Sequence, residues 1–135
     1  MKMYAIANNQ YLSEKQCGIQ GMHATSELFA KYHIEPKSKA FAVYKEWAMN
    51  HKTVILTKGG NCLSLKKTFT KLKKLADALN LPIAKFNEDK TLNNALTCIG
   101  IVFPTEESFD FFNFNVDQMD AYDKLDDELS RLQLL

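Results

Sequence analysis

Four short apolar runs set the outline of this chain: KMYAIAN (2–8), TVILT (53–57), PIAKF (82–86) and LTCIGIVF (96–103). They are rich in branched and aromatic residues, and breakers punctuate them: Asn8-Asn9, Gly59-Gly60, Pro82 and Pro104. The segments between the first three carry apolar residues every three or four positions, the spacing of one helix face. The segment EKQCGIQGMHATSELFAKY predicts a helix over 14–32, opened by a Ser13-to-Gln16 capping box. KSKAFAVYKEWAMN (37–50) predicts a second helix behind Pro36, with Phe41, Tyr44, Trp47 and Ala48 on one stripe. LSLKKTFTKLKKLADALN (63–80) predicts a third, with Leu65, Phe69, Leu72, Leu75 and Leu79 inward and Asn80 as its stop. The order is strand, helix, helix, strand, helix, strand, strand. Strands bridged by helices are expected parallel, and the last two, joined by the short loop NEDKTLNN (87–94), antiparallel. The expected fold class is α/β, a two- or three-layer sandwich around a mixed sheet of about four strands.

The remainder divides the chain in two. Residues 1–103 hold 15 lysines and no arginine against 7 acids, a balance of +8, whereas 104–135 hold 2 basic residues against 9 acids, a balance of −7. The tail VDQMDAYDKLDDELSRLQLL places Val116, Met119, Tyr122, Leu125, Leu129 and Leu132 at helical steps. It is expected to form an acidic amphipathic helix after an α/β domain over 1–103. A short helix cannot bury such a seam alone. It is expected to fold over the basic face, or to pack against a second copy of the chain or another protein.

Several classes are not indicated. The three cysteines, Cys17, Cys62 and Cys98, are widely spaced with no CxxC pair, which points to neither a disulfide frame nor a metal site. No GxSxG, Walker A or GxGxxG pattern occurs, so no cofactor is expected. No apolar run approaches the roughly 20 residues of a membrane span, and the N-terminal apolar stretch is too short for a signal peptide. A cytoplasmic location with free thiols is expected.

His23 is the main candidate for chemistry. Gly18, Gly21, Ala24, Thr25 and Ser26 surround it on a predicted helix, although each helical glycine costs about 1 kcal/mol against alanine. Small residues are expected to let the helix approach the sheet closely. The helix start also follows a strand end, where open α/β sheets gather ligands. The plain alternative is a hydrogen-bonded packing histidine.

The segment GIQGMHA (18–24) resembles the AAQCSHA helix start of the type-2 peptidyl-tRNA hydrolases, with Gln20, His23 and Ala24 in register. YKEWAMNHKTVILTKG (44–59) resembles that family's second helix and following strand. LADALNLPIAKFNEDKTLNNALTCIGI (75–101) resembles its third helix, an aspartate-bearing loop and a TVLGIG strand. The resemblance spans about residues 2–103. It implies an esterase that cleaves the bond between a peptide and the 3′ ribose of tRNA. It places catalytic roles on His23, Asp89, Thr91 and Thr97, with Asp89 orienting the imidazole. Lys15, Gln16 and Gln20 would lie against substrate, and Lys58, Lys66 and Lys67 on the lysine-rich helix side would meet tRNA phosphates as point charges.

Two features depart from the family. Its functional lysine, seven residues before the histidine, falls here on Gln16, while Lys15 sits one position earlier and about 100° around the helix. The loop from Asp89 to Thr97 is also shorter. A second reading follows, in which the same fold binds tRNA, a nucleotide or a protein without turnover. A third makes the tail helix a protein–protein adaptor.

Overall fold

The computed structural model describes residues 1–33, 38–89 and 93–135, with backbone alone at position 110. In chain order the elements are β1 (Lys2–Asn8), α1 (Glu14–Tyr32), α2 (Lys39–Glu46), a π-helical turn (Trp47–His51), β2 (Val54–Gly60) and α3 (Cys62–Leu79). They are followed by β3 (Ile83–Asn87), β4 (Leu96–Phe103), a 3₁₀ turn (Glu106–Phe111) and α4 (Val116–Ser130). Pro36 and position 37, where the sequence places the boundary before the second helix, lie outside the described residues.

Local chemistry starts and stops these helices, at the Ser13–Gln16 box and Asn80 as the sequence indicates. The Ser13 hydroxyl accepts from the Gln16 N–H at 3.3 Å, and Gln16 Oε1 accepts from the Ser13 N–H at 2.8 Å. A second capping box, Asn115 with Gln118, opens α4. Asn61 caps α3, and Asn80 ends it in the left-handed region at φ 55°.

The sheet runs β2-β1-β4-β3. β1 and β2 are parallel with Met3 opposite Val54, while β4 is antiparallel to both β1 and β3. Alternate β1 residues meet opposite helices. Ala5 lies under Gly21 of α1, and Ile6 lies beside Gly59 under Leu65 of α3. Helices therefore cover both faces, and the sandwich has three layers. The core comprises Met3, Leu28 and Cys98 on the α1 side and Ile6, Ile99, Ile101, Leu65 and Leu72 on the α3 side, all at most 1% exposed. Each large aliphatic side chain buried this way contributes about 1.5–3 kcal/mol.

The tail helix joins this core. Tyr122, Leu125 and Leu129 of α4 are buried, Tyr122 stacks on Phe103 with ring centroids 5.0 Å apart, and its hydroxyl donates to the Pro104 carbonyl at 3.0 Å. Lys71 of α3 pairs with Glu128 of α4 at 3.2 Å. The first turn departs from the expected seam, because Val116 is 86% exposed and Met119 36% exposed. Beyond α4 the chain returns to the outer edge of β2. Lys58 N–H donates to the Gln133 carbonyl at 2.8 Å, and Leu135 N–H to the Leu56 carbonyl at 3.1 Å. The other edge meets Tyr32, whose hydroxyl accepts from the Ile83 N–H at 2.9 Å and donates to the Ile83 carbonyl at 3.0 Å. No helix among the described residues is long and apolar enough to cross a membrane.

The glycines behave differently from expectation. A Cβ on Gly21 would make ordinary contacts at 3.5 Å, and one on Gly18 would meet nothing within 4 Å. The close approach of α1 is set instead from the strand side, at Gly100, where a Cβ would lie 2.8 Å from Met3 Cε and 3.3 Å from Ala24 Cβ. Likewise β2 does not end at Thr57. It continues through Gly59, where a Cβ would lie 2.5 Å from Leu65 and 2.9 Å from the Ala7 carbonyl oxygen. Denaturant unfolding should therefore show Gly18→Ala more stable than the parent by about 0.5–1 kcal/mol. Gly59→Ala should be less stable by about 1–3 kcal/mol. Equal effects at the two positions would contradict this placement.

Candidate functional site

The carboxyl ends of β1, β2 and β3 and the start of β4 lie at one end of the sheet. There the chain leaves β1 toward α1 on one face and β2 toward α3 on the other, the arrangement that opens a crevice in α/β sheets. A cleft of about 230 Å³ occupies this end, lined by Asn8, Tyr11, Leu12, Cys62, Asn93, Ala95 and Thr97. Asn8, the last residue of β1, is 1% exposed. Its amide nitrogen lies 3.4 Å from both the Leu96 carbonyl and Cys62 Sγ, while its oxygen accepts from the Gln10 N–H at 3.2 Å. It thereby ties β1 to β4 and to the first residue of α3.

Thr97 owes its position to a break in strand register. Phe86 pairs with Cys98 but Asn87 pairs with Leu96, which leaves Thr97 as the extra residue of a β-bulge. A bulge re-aims its side chain, and here the Thr97 hydroxyl points to α1 and donates to Gln20 Oε1 at 2.7 Å. Gln20 is buried, and its amide nitrogen donates to Glu88 Oε2 at 3.1 Å. The other Glu88 oxygen accepts the Asp89 N–H at 3.2 Å. The carboxylate has no proton to give, so Gln20 must offer it the NH₂ group, which leaves the amide oxygen for Thr97. One chain of hydrogen bonds thus joins β4, α1 and the end of β3.

His23, one helical turn past Gln20, is partly buried. Its ring stacks on Phe86 of β3 with centroids 4.3 Å apart and planes 13° off parallel. Among the described residues no hydrogen bond or ion pair joins His23 to Asp89. Asp89 is exposed and carries the Asn94 N–H on its carbonyl at 3.1 Å. Thr91 lies outside the described residues. Gln16 is occupied by the cap that starts α1, and Lys15 is exposed beside it. The other expected cations do not share one layer. Leu56 reaches Gly21, so strand alternation puts Lys58 on the α1 side, whereas Lys66 and Lys67 are exposed on α3 across the sheet.

Glu88, Asn8 and Phe86 are the site residues that sequence reading missed. Asn8 had a visible signal, since it falls in phase with the inward positions Tyr4 and Ile6 of β1. No local pattern distinguishes Glu88 from its neighbour Asp89. Among the described residues no group of three His, Cys, Asp or Glu side chains is disposed to hold a metal ion.

The thiols divide by environment. Burial pushes the Cys98 thiol up to about 12 from 9.0, and burial followed by the Glu14 charge raises Cys17. Cys62 lines the cleft. Iodoacetamide should therefore modify Cys62 in the native protein and reach Cys17 and Cys98 only on unfolding, as peptide mapping by mass spectrometry would report. Equal labelling of all three in the native state would contradict the burial. The raised Cys98 value also fixes a sign. Above pH 9.0 the unfolded thiol loses its proton while the folded one keeps it, so stability falls as pH rises from 9.0 toward about 12. Cys98→Ala should flatten part of that decline in pH-dependent unfolding.

The chain matches no known family model and no curated protein.

Proposed function

We propose that this protein is an ester hydrolase of the peptidyl-tRNA hydrolase type, acting at the cleft over the carboxyl end of β1. The observation that carries this reading is the 2.7 Å hydrogen bond from Thr97 to Gln20. It joins the two stretches on which the resemblance rests, QGMHA and TCIG, although they lie 77 residues apart. Hydrolysis requires a water delivered to the ester carbonyl, a base for its proton, and a surface for the tRNA phosphates. Thr97 is 1% exposed and its hydroxyl lies 2.7 Å from Gln20 Oε1 and 3.3 Å from the Phe86 carbonyl, so in this reading it holds Gln20 and the turn that carries His23 against β4. His23, which stacks on Phe86 one turn past Gln20 and is not among the residues lining the cleft, is the base that this reading assigns. Lys66 and Lys67 supply phosphate contacts.

A second reading is favoured by one observation. The Gln16 side chain holds the Ser13 N–H, so the position of the family's lysine serves as a helix cap. A lysine there has no acceptor atom and could not close the capping box. A site without that cation would bind the tRNA end and leave the ester intact.

The test is release of labelled N-acetyl-aminoacyl groups from tRNA by purified protein. The hydrolase reading expects turnover that falls roughly 10²–10⁴-fold in His23→Ala, and substantially in Thr97→Val, with folding of each variant checked by circular dichroism. An intact ester in the presence of well-folded parent protein that still binds the tRNA would reject hydrolysis and leave the binding reading. Gln16→Lys then asks whether the missing cation is the reason. Turnover gained by this variant would show that it is, and unchanged inactivity would show that it is not.

A further inference from the structure

The end of the sheet opposite the cleft carries a second, larger hollow. It measures about 410 Å³ and lies where β1 begins and β4 ends, between the 3₁₀ turn and one side of α4. That volume is within the roughly 300–1,000 Å³ of small-molecule sites. Four rings line it: Tyr4 and Phe103 from the sheet, Phe109 from the turn and Tyr122 from α4. Phe109 and Tyr122 are set at 81° to one another, and Tyr4 and Phe103 at 74°, so the rings form corners and not a flat wall.

Three carboxylates share the hollow with those rings. Asp123 and Asp126 lie one turn apart on the stripe of α4 that also presents Tyr122, and Glu106 joins them from the turn. On the same helix Asp120, Asp127 and Glu128 are each paired with a base. Asp123, Asp126 and Glu106 form no ion pair among the described residues, and Lys2 is the one cation in the lining. The Thr105 hydroxyl, also in the lining, is buried with no hydrogen-bond partner among the described residues. Burial, and after it the charges of Asp126, Glu106 and Asp123, push the Tyr122 phenol up to about 12 from 10.0, so negative potential reaches the wall. Unpaired carboxylates beside aromatic rings select a cation with an apolar body. A bare metal ion does not fit. Among the described residues no group of three His, Cys, Asp or Glu side chains is disposed to hold one, and the rings offer it no oxygen cage. One small ammonium would leave most of the volume, and most of the carboxylates, unmatched.

We infer that this hollow binds a linear aliphatic polyamine, with its ammonium groups at Asp123, Asp126 and Glu106 and its methylene stretches against Tyr4, Phe109 and Tyr122. The site is separate from the cleft, and it stands or falls independently of the hydrolase reading.

Equilibrium dialysis of the full chain against radiolabelled spermidine tests it. The parent should retain a single equivalent. Asp123→Asn combined with Asp126→Asn should weaken retention roughly tenfold or more. Both positions are exposed on α4, so the double variant should fold, as circular dichroism would check. Lys2→Gln removes the one like charge and should tighten binding. Tyr4→Leu keeps an apolar side chain without the ring and should weaken binding severalfold. Should Tyr4→Leu fail to fold, the double variant still decides. Hexaamminecobalt(III), equal to spermidine in charge but without methylenes, should compete poorly. No retention by the parent, unchanged affinity of the well-folded double variant, or displacement by hexaamminecobalt(III) at equal concentration would each overturn the inference. The last outcome would reduce the hollow to a patch of negative charge.

Discussion

The side chain that Gly100 lacks sets the distance between α1 and the sheet. Met3, Ala24 and Leu28 close over that gap, and none of the three retains solvent exposure. Gln20 lies one turn before Ala24 on the same side of α1. A larger residue at position 100 would press on Met3, Ala24 and Leu28, and through Ala24 on the turn that carries Gln20. The polar chain from Thr97 through Gln20 to Glu88 is therefore a product of apolar packing beneath it. His23 is carried by the same turn, and Phe86 fixes its ring from β3.

Much of the architecture was legible in the residues because two periods, two and 3.6, separate strands from helices with little overlap here. The strand LTCIGIVF and the Ser13–Gln16 capping box needed no tertiary information. Sequence reading faltered where a single residue changes phase. Thr97 faces α1 because of a bulge, and a one-residue slip sends a side chain to the other face of a sheet. For the same reason Glu88, and not Asp89, is the acid hydrogen-bonded to the Gln20 amide. The glycines show a related difficulty. Small residues in α1 suggested a thin helix, but Gly18 faces open space and the restrictive glycines are on strands. A linear pattern marks where bulk is missing without saying which surface fills it.

The charge asymmetry has a partly internal resolution. α4 lies against α3, with Glu128 meeting Lys71, and Asp77 pairs with Lys73 on α3 itself at 2.6 Å. Such exposed pairs contribute at most about 1 kcal/mol each, so they tune the field of α3 more than they hold the helices together. The buried contacts of Tyr122, Leu125 and Leu129 do that. Lys66 and Lys67, nearer the start of α3, and Lys74 further along it form no ion pair among the described residues.

The treatment of the two border strands has a wider consequence. Tyr32 satisfies both backbone groups of Ile83 with one hydroxyl, while the Gln133 carbonyl accepts from the Lys58 N–H and the Leu135 N–H donates to the Leu56 carbonyl. A sheet closed off in this way offers no template at these points for another polypeptide to zip onto. Visitors are directed end-on, to the loops, where recognition depends on individual side chains and not on repeating main-chain geometry.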